Sequence, residues 1–105
     1  DNAMVDRQRT LRRLERLEGD DAHWGRVFAE RLREADAVAH NDLLVRIFQS
    51  LEAEDDRLLL SLRLGGATHD MVGSLLGISG AACRKRWQTL RERIAAEHFA
   101  SESQR

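Results

Sequence analysis

Proline is absent from this 105-residue chain, cysteine occurs once, and aromatic residues make up only 5%. Without proline the strongest helix breaker is missing. β-branched residues are scarce, while Leu, Ala, Arg and Glu dominate. This balance favours an all-α protein. The lone Cys83 excludes an internal disulfide and any cysteine-rich zinc site, which fits a reducing cytoplasm. No apolar run approaches the roughly 18 residues of a membrane span, and no signal-peptide pattern occurs, so neither membrane nor export is expected. His23, His40, His69 and His98 show no ligand spacing with one another or with an acid pair, so no metal or cofactor is expected. No nucleophile–base pattern, phosphate loop or paired-carboxylate motif stands out, and the chain does not read as an enzyme.

A chain of this length removes about 60% of its surface from water on folding, enough for three to six short helices around a core. Residues 1–3, ahead of Met4, read as vector-derived residues before a start methionine. The net charge of −1 argues against a general polyanion binder. Its distribution is uneven. Residues 19–60 hold 5 basic and 10 acidic residues, and residues 61–95 hold 6 basic and 2 acidic. Such a concentration marks either a local anion-binding face or a solvated helix face.

Six helices are expected. Leu11, Leu14 and Leu17 step by three among five arginines, a short helix stopped by Gly19. Asp20 or Asp21 suits the N-cap of a second, striped by Trp24, Val27, Phe28, Leu32 and Ala35. Asn41 or Asp42 would cap a third, with Leu43, Leu44, Ile47, Phe48 and Leu51 inward. Glu54, Asp55 and Asp56 open a fourth, where early acids suit the dipole, with Leu58, Leu59 and Leu62 inward and Gly65-Gly66 as its end. Thr68 caps a fifth carrying Val72, Leu75 and Leu76 inward. After a Gly77-Ile78-Ser79 turn, Ser79 caps a sixth. Cys83, Trp87, Leu90 and Ile94 share one narrow face of it, and Ala81, Arg84, Lys85 and Gln88 fall on the other side.

Short helix, tight turn and longer basic helix together make a helix-turn-helix. Gly73 leaves room where two helices cross, and Gly77 permits a positive φ. Ile78 plugs the crossing, and Cys83 with Trp87 anchors the last helix from beneath. Its outward residues are then available to base edges and phosphates.

Leu51 to Ile94 resembles the DNA-binding region four of bacterial sigma factors and its relatives in response regulators. The residues that carry the resemblance are EAEDDR, LLLSLRLGG, and LLGIS followed by CRKRW. It implies that Ser79, Gly80, Ala81, Arg84, Lys85 and Arg86 face the groove or the phosphates, with Cys83 at a buried aliphatic position. AEDDRLLLSL with ACRKRWQTL also looks like a Myb/SANT repeat, whose three core aromatics would fall at Leu51, His69 and Trp87, spaced 18 and 18. Only Trp87 keeps the aromatic. Both resemblances imply a trihelical unit with the last helix as reader. Met71 and Gly73 depart from the sigma-like pattern, and nothing matches the other promoter-binding region of a complete sigma factor. Gly80 and Ala81 are small where longer polar residues often read bases, so modest specificity is expected.

The sequence therefore reads as an all-α protein: a helical extension over 5–50, a trihelical helix-turn-helix domain over 51–98, and a tail over 99–105. Double-stranded DNA is the expected partner, met by Ser79, Gly80, Ala81, Arg84, Lys85, Arg86 and Gln88, with Thr68 as a cap offering a hydroxyl to a phosphate. Arg86, beside the core face, could pair with Glu54 or Asp55. The extension suits a homodimer interface or a partner contact, and RNA polymerase is a further candidate partner of the protein. The Arg-rich helix at 7–16 could touch backbone phosphate, but Asp6, Glu15 and Glu18 offset most of its charge, so it reads as solvated or partner-facing. The role implied is that of a small cytoplasmic transcriptional regulator. The competing class is a protein-interaction adaptor on the same scaffold, favoured if Arg84, Lys85 and Arg86 are tied up by the acids of residues 52–56.

Overall fold

The computed structural model describes residues 2–99, with side chains from residue 7 onward. It is all-α, as the composition implies, with no strand among the described residues. The helices are α1 (Asn2–Glu15), α2 (Asp21–Glu34), α3 (Ala37–Ser50), α4 (Glu54–Leu64), α5 (His69–Leu76) and α6 (Gly80–Ile94), and α6 runs on into a π-helical turn, Ala95–Phe99. Residue 1 of the expected leader and residues 100–105 of the expected tail lie outside the described residues. Phe99, placed by the sequence at the start of that tail, is buried. The chain divides between Arg46 and Ile47 into two compact units.

In the first unit α1 packs on α2. Leu14, Trp24, Phe28, Ala29 and Leu32 are buried, and Trp24 meets Phe28 edge to face at 5.3 Å. Gly25 makes the close approach possible, because a Cβ there would collide with the Leu14 carbonyl oxygen. Two expectations about helix ends change. Asp20 stands at the start of α2 but is already helical in φ and ψ, and its carboxylate makes no cap bond. The first N–H groups go instead to carbonyls of the preceding turn, Asp21 to Glu18 at 3.2 Å and Ala22 to Gly19 at 3.1 Å. α3 begins before Asn41 and Asp42, because the Asp36 carboxylate accepts the Ala39 N–H at 2.9 Å and supplies the cap earlier in the chain. Arg7 is neither solvated nor partner-facing. Its guanidinium donates to the carbonyls of Leu32 (3.3 Å) and Ala35 (2.7 Å), satisfying acceptors that the end of α2 leaves open.

In the second unit α4, α5 and α6 pack against one another. Ile47, Leu51, Leu59, Leu60, Val72, Cys83, Trp87, Leu90, Ile94 and Phe99 are buried. The α6 stripe is the one expected. The α4 and α5 stripes are met in part: Leu59 and Val72 are buried and Leu76 is half-buried, as expected. Leu58 is 41% exposed and Leu75 67% exposed, and Leu62 is only half-buried. The inward rows are Asp56-Leu59-Leu60-Arg63 and His69-Val72-Gly73-Leu76, each spaced i, i+3, i+4, i+7. Polar or side-chain-free members occupy part of each row, so counting apolar residues found only part of it.

Candidate nucleic-acid interface

The turn between α5 and α6 is built from four short-range devices. Thr68 Oγ1 accepts the Met71 N–H at 3.2 Å and starts α5. Gly77, at φ 75° and ψ 28°, ends α5 in the left-handed conformation, which glycine adopts without the steric cost of a Cβ. Its N–H, and that of Ile78 at 2.9 Å, return to the Gly73 carbonyl. Ser79 Oγ accepts the Ala82 N–H at 3.0 Å and starts α6. A Cβ on Gly73 would stand 2.7 Å from the Ile78 carbonyl oxygen, so only glycine allows the lead-in of α6 to cross α5 this closely. Ile78 itself is half-buried.

Below, Cys83 and Trp87 fix the helix. The Arg63 guanidinium lies over the Trp87 ring at 5.4 Å from its centroid and donates to the Ala67 carbonyl at 2.7 Å. Cys83 Sγ is 3.9 Å from His69 Nδ1. Burial pushes the Cys83 thiol up, against the opposing pull of the Arg63, Arg86 and Arg84 charges. It is therefore kept as a thiol, consistent with a small core residue.

Above, the structure sorts the candidate residues. Ala81, Arg84, Lys85 and Gln88 share one exposed row of α6. Arg84 and Lys85 make no ion pair among the described residues. Gln88 Nε2 donates to Glu92 Oε1 at 3.3 Å. Ser79 and Thr68 are exposed and act as caps. Arg86 stands apart from this row. Its Nε donates to Asp56 Oδ1 at 2.9 Å, and its NH1 lies 3.8 Å from Asp55, so it ties α6 to α4. Asp56 is also 3.9 Å from Arg93. The sequence pointed to Glu54 or Asp55 as partners; Asp56, with the better-shielded carboxylate, is the principal one.

Gly80 has a structural reason that the sequence did not suggest. The Asp70 carboxylate fills the place a Cβ at residue 80 would take. An acid here meets the positive end of α6 and opposes any phosphate approaching the same N–H groups.

Among the described residues no group of three or more His, Cys, Asp or Glu side chains is placed to hold a metal, and no helix is long and apolar enough to cross a membrane. No protein-family model, curated protein or solved structure matches the chain.

Proposed function

We propose that the second unit binds double-stranded DNA, with α6 in the major groove, and that the protein is a small cytoplasmic transcriptional regulator resembling sigma region four. One observation carries this reading. Arg84 and Lys85 stand together on the outward row of the second helix of a helix-turn-helix, without internal carboxylate partners among the described residues. Their charges are available to phosphates and base edges, and the affinity they give weakens with salt. Ala81 and Gly80 bring little side chain to the groove, so discrimination among sequences is modest. Titration of a random-sequence duplex at two salt concentrations, with wild type and Arg84→Ala/Lys85→Ala, tests it. The double variant should bind at least about tenfold more weakly. Equal binding by the two proteins, or no binding at low salt, contradicts the reading.

The adaptor reading has its own support. Arg86 is engaged by Asp55 and Asp56, and Met71 and Leu75 stand 59% and 67% exposed one turn apart on α5. It takes over if duplex binding is absent and Met71→Ser/Leu75→Ser abolishes capture of a protein partner that wild type retains.

A further inference from the structure

The first unit carries a charged face that the helix-turn-helix does not use. Arg9, Arg12, Arg13 and Arg16 follow one another at i, i+3, i+4 and i+7. At 100° per residue they fall within about 100° of arc, a stripe roughly 10 Å long. Arg9, Arg12 and Arg16 are exposed and Arg13 is half-buried. None makes an ion pair or side-chain hydrogen bond among the described residues.

Of the acids that offset these charges in the sequence, Asp6, Glu15 and Glu18, the Asp6 side chain lies outside the described residues. Glu15 is drawn to the other side by its ion pair with Arg33 of α2. Arg7, the fifth arginine of the segment, is spent on the Leu32 and Ala35 carbonyls. The opposite side of α1 is the packed one: Arg7, half-buried Leu11 and buried Leu14 all point there. Gly25 seats the Leu14 backbone on α2, so the arginine face is held outward by the packing of the unit.

Resting on the duplex-binding reading of the protein, we propose that this stripe is a second nucleic-acid contact, a sequence-independent cradle for the phosphate backbone of duplex DNA. Three features select that occupant. All four cations are arginines, and the planar guanidinium fork matches phosphate oxygens in pairs. The duplex presents one charge per about 1.7 Å of its axis, so a 10 Å stripe meets several phosphates in any register. A membrane surface fits less well, because on the side of α1 opposite the stripe Leu14 is buried and Leu11 half-buried, which leaves little apolar surface among the described residues to enter lipid.

The test is a salt series from about 50 to about 200 mM on one random-sequence duplex. It compares wild type, Arg9→Gln/Arg12→Gln/Arg13→Gln/Arg16→Gln, and Arg84→Ala/Lys85→Ala. Glutamine keeps helix propensity close to that of arginine, and circular dichroism melts verify the fold. The stripe variant should lower the slope of log affinity against log salt by about 2 to 4, equally on unrelated sequences. The matching Arg→Lys variant, which keeps charge and removes the fork, should hold the slope within about 1 and weaken binding. It serves as the readout if the glutamine variant does not fold, and full wild-type affinity in it then overturns the proposal. An unchanged slope in a folded glutamine variant overturns it too. If the stripe variant loses affinity and the α6 variant does not, the stripe stands and the α6 reading falls. If wild type ignores duplex but binds phosphatidylserine-containing vesicles through the same arginines, the proposal is wrong and the face is a membrane contact.

Discussion

Arg84, Lys85 and Arg86 are consecutive, yet they have different work. Helical phase puts Arg86 beside Asp56 and leaves Arg84 and Lys85 in solvent. The Arg86–Asp56 pair is partly shielded, and Arg86→Ala leaves Asp56 facing α6 with only the more distant Arg93. The expected cost is about 1 kcal/mol in urea unfolding, with duplex affinity changed less than twofold. A tenfold loss of affinity with unchanged stability would place Arg86 in the interface after all. Asp70 gives a prediction of opposite sign. Asp70→Asn removes the carboxylate that guards the start of α6 and should raise duplex affinity about threefold or more at low salt. Weaker binding by this variant would mean that Asp70 positions α6 rather than repelling phosphate.

His40 is a buried titratable group of the first unit. It is 3% exposed, and its Nδ1 is buried without a hydrogen-bond partner among the described residues. Burial lowers its pKa below the ordinary 6.5, the Arg7 charge lowers it further, and the Leu32 carbonyl acts in the opposite direction. The folded state therefore holds fewer protons than the unfolded chain once the pH drops below about 6.5. Stability is flat above that point and declines as the pH falls from it toward the lowered folded value. His40→Gln should flatten the decline between about pH 6.5 and pH 5 in thermal melts followed by circular dichroism. A decline of the same size in the variant would assign it to other groups.

Helix existence and most helix ends were legible in the sequence because they depend on local chemistry. Thr68, Ser79 and Gly77 act where their side chains, or the lack of one, said they would. The α6 stripe was legible because all four of its members are apolar or Cys. The phases of α4 and α5 were legible only in part, since Asp56, Arg63, His69 and Gly73 belong to their inward rows beside the expected Leu59, Val72 and Leu76. Arg63 faces inward to cover Trp87, and Gly73 does so to let Ile78 cross, and neither reason is visible without the partner helix. Gly73→Ala is the sharpest check on this packing. The new Cβ meets backbone, which cannot swing aside, so the expected loss is about 1–3 kcal/mol of stability together with weaker duplex binding as α6 is pushed out of register. A stable, fully binding variant would show that the crossing is looser than described.

Taken whole, the chain joins two helical units with different surfaces, and neither net charge nor composition describes them. A near-neutral total conceals the Arg84/Lys85 row in one unit and the α1 arginine stripe in the other. Four of the eighteen acids that balance the total are committed within the fold: Glu15 to Arg33, Asp55 and Asp56 to Arg86, Asp36 to its cap. The candidate row on α6 was readable in the sequence from helical phase alone. The placement of Asp70 at the start of α6 and the capping role of Arg7 were not, because each acts across a helix–helix contact. The most direct measurement is amide chemical-shift mapping of the intact protein titrated with a random-sequence duplex at low salt. The account predicts perturbations centred on Ser79, Ala81, Arg84, Lys85 and Gln88. Shifts confined to Met71 and Leu75 on α5, or no shifts at all, would contradict it.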